Sequence, residues 1–597
     1  MRKPWSISTT VRNPERLRDF LRVLKELEGE PFNEDNQITY QVLLIQERLY
    51  KPKNIPLKFR NYYEHPETPM PYDVAKEILE FQNYEDPPMR GRQSVNPLNK
   101  LGFSIAREGI GPIKITELGN TFLAGDYDIG YVFFKSLLKL QFPNLWSEDF
   151  SEKNGFNIMP FIGVMHLING VNKKSKKKGL DQTEFSIFIP TFTNFNQIDE
   201  QIEKILEFRK EEDKERYIKE FAMDFYRMKS VPDKKINNLY DYGDNIMRYF
   251  RLTRYFKVSM NPLGSHWNVD LEPSRKVEIE ELLGTYKGVA LEFESSDEYL
   301  DYLSDISKPT LPWEKKENLE KVAQSLRDSA LELMKNKSMQ IGQDEQNVLL
   351  TDIHLLSNDQ LQNHISLLRG INLKLKERIK KIELMSNLGL IEEMIRDFRD
   401  LKTLRKYKPE QFEKRITEAL KIINDEIQIK PNYPVDDEGE PINHAPGNKP
   451  DIECYYQSFE AICEVTLNSS SLQWVQEGQP VMRHLRDFEN QHKGDNVFCI
   501  FVAPKIHNDT YSTFWISVKH EYDGAPQKIL PLTSEQFAVL LESLLALLKQ
   551  KKRFTHRELY NLYSTIIIKT AGLSGYSEWT ASIQETVKEW SERVQTL

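Results

Sequence analysis

The chain has 597 residues, too many for one hydrophobic core and enough for roughly three to five domains. Hydrophobic residues make up 39% and charged residues 29%, polar for a folded protein, yet 31 Phe, 26 Tyr and 8 Trp exclude a disordered polymer. The net charge of −9 is uneven: residues 1–285 hold 42 basic and 42 acidic side chains, so the whole deficit lies beyond them.

No apolar run reaches the ~18 residues of a membrane span, and MRKPWSISTT lacks the apolar core of a secretory signal. Cys454, Cys463 and Cys499 supply neither a disulfide framework nor zinc-ligand spacing. The expectation is a cytoplasmic, multi-domain protein with buried free thiols. Overall acidity governs solubility, whereas contact with a phosphate backbone needs only a local basic patch.

In chain order, Ile38–Tyr50 and Tyr72–Phe81 have the apolar spacing of helices. Leu101–Gly125 then reads as strand, Gly-rich turn, strand and a closing helix opened by Thr116. Helices followed by a small hairpin and another helix suggest a winged helix. Just upstream, Arg90, Arg92 and Lys100 fall in a stretch punctuated by Gly and Pro, expected to be a loop able to reach a DNA groove. The pattern recurs with helices at Phe161–Asn172, Asp181–Thr191 and Asp241–Tyr255. A hairpin follows over Tyr255–Pro273, turning at Asn261, Pro262 and Gly264. The basic run that starts at Lys173 and Lys174, and the repeat Arg248, Arg251, Arg254, are further candidate DNA contacts. Two winged-helix-like recognition subdomains, 1–150 and 151–285, are therefore expected; such units also serve in protein–protein contacts.

Residues 286–385 read as a helical linker, entered through the proline-punctuated Ser307–Lys321 and continued by Leu319–Met334 and Leu361–Leu384. Residues 386–597 change texture again. A helix over Pro409–Glu426 leads into Pro431–Pro450, twenty residues dense in turn formers. Strands follow at Asp451–Tyr456, Ala461–Thr466 and Asn496–Ala503, with a tight turn at Gln457–Ser458. A helix over Thr533–Leu548 opens with a capping box, Thr533 to Gln536. The fold class expected is α+β multidomain, ending in a mixed sheet flanked by helices.

The spacing that carries chemistry is Pro450-Asp451, twelve residues, then Glu464-Val465-Thr466. A hairpin would bring both carboxylates to one sheet edge, a site for a hard, oxygen-liganded cation such as Mg²⁺. This is the skeleton of a PD-(D/E)xK nuclease, except that Thr466 stands where that pattern has Lys. Glu477, Arg483 and His484 downstream, and Glu413 on the preceding helix, are candidates to complete the site.

The chain resembles the type IIS restriction endonucleases of the AlwI kind and their site-specific nicking relatives. The resemblance runs from WSISTTVRNPERL (Trp5–Leu17) and NQITYQVLLIQ (Asn36–Gln46) through ITELGNTFLAG (Ile115–Gly125) and KLQFPN (Lys139–Asn144). It is strongest at NHAPGNKPDIE (Asn443–Glu453), CEVT (Cys463–Thr466), GQPVMRH (Gly478–His484) and FVAPKI (Phe501–Ile506). It implies an N-terminal recognition half, a helical linker and a C-terminal PD-(D/E)xK-type α/β nuclease domain. Asp451, Glu464, Glu477, Glu413 and His484 become the catalytic candidates, and Asp451, Glu464, Val465 and Glu477 the Mg²⁺ candidates. The Val and Thr after the catalytic Glu also occur in the nicking relatives, so Thr466 is a variant within the group. The implied reaction is hydrolysis of double-stranded DNA a few base pairs from a short asymmetric site, GGATC- or GAGTC-like. One cleavage domain makes one cut, so the chain nicks, dimerises transiently or borrows a second catalytic subunit. The competing expectation is a DNA-binding regulator, or inactive subunit, with a decayed nuclease fold. No P-loop or methyltransferase motif points to an ATP-driven or modifying enzyme.

Overall fold

The computed structural model describes residues 2–8, 11, 13–64, 68–125, 128–146, 150–260, 266–337, 339–422, 427–447, 449–492 and 496–596. The protein is mixed α+β and mostly helical. It divides into two compact units: residues 1–259, 267–332 and 340–371, and residues 260–266, 333–339 and 372–597. Among the described residues no helix is long and apolar enough to cross a membrane.

In the first unit the helices Glu34–Gln46 and Tyr72–Glu80 form where apolar periodicity predicts them. The stretch bearing Arg90, Arg92 and Lys100 is a correction: it is a helix, Pro88–Lys100, not a loop. Pro88 sits in the first turn, where no backbone donor is needed. Gly91 lets this helix approach Glu34–Gln46 so closely that a Cβ there would lie 2.2 Å from the Gln37 carbonyl oxygen. The punctuating residues thus start and pack a helix instead of breaking it. Strands β1 (Ser104–Ile105) and β2 (Lys114–Ile115) follow as an antiparallel pair. Gly109 and Gly111 take positive φ in their turn. The Thr116 hydroxyl accepts from the Gly119 amide at 2.9 Å and opens the expected closing helix, Glu117–Ala124, which ends on left-handed Gly125.

The second helix–hairpin set holds Pro160–Lys174, Gln182–Phe188 and Asp233–Leu252. Asp181 and Glu184 form a reciprocal capping box. Strands β3 (Leu180–Asp181), β4 (Phe256–Met260) and β5 (Trp267–Leu271) make a three-stranded sheet in the order β3–β5–β4. The expected turn at Asn261, Pro262 and Gly264 lies outside the described residues. Long helices at Lys316–Lys337 and Asn358–Ser386 match the helical patterns read over 286–385.

The second unit is built on five strands: β6 (Gln428–Pro431), β7 (Ile452–Tyr455), β8 (Glu460–Val465), β9 (Val497–Ala503) and β10 (Ile529–Thr533). Their order is β10–β9–β8–β7–β6, antiparallel across β6, β7 and β8 and parallel across β8, β9 and β10. All seven residues of β9 are buried, as a strand covered on both faces requires. Cys454, Cys463 and Cys499 are buried on the three central strands and form no disulfide. The capping box Thr533–Gln536 opens Ser534–Lys549.

Candidate active site

Pairing of Ile452 with Cys463 sets the register of β7 against β8, and one step further along the ladder Asp451 stands beside Glu464. The Val465 amide donates to Asp451 Oδ2 at 2.7 Å, so the aspartate is pinned across the two strands. Glu464 is 4% exposed, and its Oε1 lies 2.9 Å from His484 Nδ1. His484 is carried by the helix Gln479–His492, and its Nε2 lies 3.3 Å from the Gly447 carbonyl oxygen. Glu413, on Pro409–Ile422, accepts from the Ala445 amide at 3.1 Å through Oε2. Two of the candidate residues therefore hold the segment His444–Gly447, which precedes Asp451.

Glu477 sits in a π-helical turn, Trp474–Gly478, whose wider spiral precedes the His484 helix. The Thr466 hydroxyl accepts from the Asn468 amide at 3.1 Å and stands near enough to Glu477 to draw its carboxyl down. Where the PD-(D/E)xK pattern has a lysine, this chain thus has an uncharged side chain beside Glu477.

The electrostatics are those of anions gathered with too little counter-charge. Burial and the Asp451 charge raise Glu413 to about 9. Burial and the neighbouring Glu464 push Asp451 well above the ordinary carboxylate range. Burial, then Glu477, does the same to Glu464. Burial also raises Glu477, against the lowering influence of Thr466 and the nearby His484. His484 is lowered, chiefly by burial. Such shifts mark groups whose charge lacks a partner in the protein. Among the described residues, no three carboxylate, imidazole or thiolate groups converge in metal-ligating geometry.

All of these residues fall inside residues 99–540, the part of the chain matched by the family profile "AlwI restriction endonuclease". The chain belongs to the AlwI restriction endonuclease family. Family membership makes it a site-specific DNA endonuclease by class. No curated protein matches this AlwI-family chain. Among solved structures, the small subunit (R.BspD6I2) of the heterodimeric restriction endonuclease R.BspD6I is 22% identical, covering 34% of this chain and 98% of its own, at a TM-score of 0.26. Restriction endonuclease FokI is 13% identical over 94% of this chain and 99% of its own, at a TM-score of 0.22. FokI bound to DNA is 11% identical over 94% and 98%, at the same TM-score.

The structure of this AlwI-family member brings Asp451, Glu464, Val465, Glu477, Glu413 and His484 into one neighbourhood. Arg483, the neighbour of His484, is exposed. Sequence reasoning missed the Ala445 amide and Gly447 carbonyl, backbone groups that no side-chain pattern reports. It also missed Glu410, which is buried and adds to the negative field on Glu413.

The basic residues of the first unit are dispersed. Arg90 lies over the Tyr84 ring, and Arg92 bonds Asp86 and Gln37. Lys100 is buried; it donates to the Ser6 carbonyl at 3.1 Å, and burial lowers it to about 8. Lys173 and Lys174 are exposed, with Lys174 paired to Glu203, while Lys177 bonds Asp181 and Glu184. The basic run therefore folds partly back on its own subdomain. Arg248 pairs with Asp244, and Arg251 is buried. Arg254 lies beyond the helix end at Leu252, in a left-handed conformation, and bonds Asp128.

Proposed function

We propose that this chain is a type IIS endonuclease that binds a short asymmetric duplex site, GGATC- or GAGTC-like, and hydrolyses a phosphodiester a few base pairs to one side. The observation that carries the reading is the buried carboxylate group Asp451, Glu464, Glu477 and Glu413, held at the end of a mixed sheet and deprived of counter-charge. In this reading, winged-helix-like subdomains over 1–150 and 151–285 read the DNA, 286–385 links, and a PD-(D/E)xK-type domain over 386–597 cuts.

An oxygen-only, electron-rich donor set suits Mg²⁺, which keeps several waters and takes few protein carboxylates. Asp451 and Glu464, with Glu477 and the Val465 backbone, would hold it. When bound, the ion polarises a phosphoryl oxygen and lowers the pKa of water. The chain's own groups supply placement: the Val465 amide fixes Asp451, His484 orients Glu464, and Glu413 secures the approach to Asp451 through Ala445. With Thr466 in the lysine's place, no charge at that position helps deprotonate water. Among the described residues each chain carries one such group, so two-strand cleavage requires a transient homodimer or a separate second catalytic subunit; alone, the chain nicks.

The test is a supercoiled-plasmid assay with and without Mg²⁺, on wild type and Asp451→Ala, using plasmids with GGATC, GAGTC or neither. Mg²⁺-dependent nicked or linear product, lost in the variant, is expected. Linear product rising with protein concentration marks dimerisation, and nicking alone marks the absent partner. Intact plasmid with retained site-specific binding would overturn the reading in favour of a DNA-binding regulator.

A further inference from the structure

The first unit contains a cavity of about 450 Å³ where three elements meet: the N-terminal segment, the helix Pro88–Lys100 and the helix Asp233–Leu252. Among the described residues four cationic ones line it, Arg2, Lys3, Lys100 and Lys235, and no carboxylate does. The segment bearing Arg2 and Lys3 is anchored. Trp5 is fully buried, its amide donates to the Pro190 carbonyl at 2.9 Å, and its indole donates to the Phe192 carbonyl at 3.1 Å. Ser6 receives Lys100, and the Ser8 amide donates to Asn245 at 3.1 Å. The cations at the cavity wall are thus held by the fold.

The helix wall contributes two amides, Gln93 and Asn96, both half-buried. Arg92, Gln93, Asn96 and Lys100 are spaced so that they share one helix face. On that face Arg92 is exposed, Gln93 and Asn96 are half-buried and Lys100 is buried, while the Gly91 side packs on Glu34–Gln46. Asn96 also lines a second cavity of about 430 Å³, with Arg92 and Arg107. Its Oδ1 is turned inward and has no hydrogen-bond partner. Rotation about the last side-chain bond exchanges the amide's two ends and presents the oxygen to the cavity without breaking a bond. An amide with an unused acceptor, flanked by cations on a helix that directly precedes a two-stranded hairpin, matches a duplex groove. Asn and Gln read adenine through its N6 donor and N7 acceptor, while Arg and Lys neutralise phosphates.

We propose that the helix Pro88–Lys100 is a DNA-reading helix, with Gln93 and Asn96 as specificity-determining residues for adenine edges and Arg2, Lys3 and Lys235 as backbone contacts. The proposal rests on the endonuclease reading above. Its cations differ from those that the sequence alone suggested: Arg2, Lys3 and Lys235 come from distant segments that only the fold collects.

The experiment selects bound duplexes from a randomised pool with full-length Asp451→Asn, a background in which cleavage does not intrude. The background is expected to enrich one site. Asn96→Asp, which keeps the side chain's size, and Gln93→Ala should each flatten preference at a base pair of that site by about tenfold or more, with the melting temperature unchanged. Arg2→Ala, Lys3→Ala and Lys235→Ala should weaken every sequence alike and reduce the slope of log affinity against log salt by about 1 each. An enriched site that stays the same in Asn96→Asp and Gln93→Ala overturns the proposal and leaves the nuclease standing. A background that enriches no sequence, with a wild type that cuts none, overturns both.

Discussion

Replacing Asp451 with Asn keeps an oxygen for the Val465 amide but removes a charge that opposes Glu464 and Glu413. Two effects of opposite sign are expected. Mg²⁺-dependent cleavage should fall by roughly 100- to 10,000-fold, the several kcal/mol that an oriented cation supplies. Stability in EDTA should rise, with the melting temperature climbing roughly 2–4 °C for each kcal/mol of repulsion relieved. Loss of activity together with a lower melting temperature would mean that the carboxylate is structural. The same residues show what a sequence can disclose. The Asp451 and Glu464 spacing was readable because one hairpin fixes it. Glu413 was readable as a candidate, but its hydrogen bond from the Ala445 backbone amide was not, because that amide lies on a segment distant in sequence. Lys100 shows the opposite limit: a lysine in a polar stretch reads as surface, and only packing against Ser6, Phe142 and Phe150 makes it interior.

At the scale of elements, prolines and glycines account for the differences between expectation and structure. The helix Pro88–Lys100 contains Pro97 and Gly91, which read as loop residues, but Gly91 is there for close helix contact. Gly91→Ala should cost about 1–3 kcal/mol, since the new methyl meets the fixed Gln37 backbone; urea denaturation measures it. Strand β10 contains Pro531 and went unread, yet it lies at the sheet's edge, where a missing ladder donor is tolerated. Strand β6 is four residues long and was equally silent, as was the two-residue β3. The turn-rich stretch before Asp451 is more ordered than its composition suggests. Val435 bridges Pro441, and Asp436 Oδ1 accepts from the amides of Glu438 and Glu440, both at 2.9 Å. Where local chemistry and fold agree, the reading was exact to a residue: Thr533 caps its helix as its sequence indicated. Thr533→Ala should cost about 1 kcal/mol by the same urea measurement.

At the scale of the whole molecule, the two units answer to pH in separate windows. In the first, Lys139 is fully buried against the Asp305 carbonyl at 2.5 Å, and burial together with Lys135 lowers it to about 7. The unfolded chain holds that proton up to about 10.5, so it binds more protons than the folded unit between those values. Stability therefore rises with pH there, by up to ~1.4 kcal/mol per pH unit for the single group. Melting temperature measured from pH 7 to 9 should increase, and Lys139→Met should flatten the slope. In the second unit, burial pushes Glu440 up, but Lys414 and Lys380 outweigh it and hold the group at about 2. Its contribution is complete above the ordinary value of 4.5 and drains away as pH falls toward 2. Glu440→Gln should remove that part of the acid sensitivity while lowering stability at pH 7.

The π-helical turn Trp474–Gly478 amounts to one residue of slack wound into an otherwise α-helical path. Deleting a residue there would let the spiral tighten and swing Glu477 by roughly 100° about the helix axis, away from the Thr466 hydroxyl. The sheet, Asp451 and Glu464 would stay where they are. In the reading proposed above, a shortening of the chain by one amino acid would take the third carboxylate out of the site and leave the other two in place.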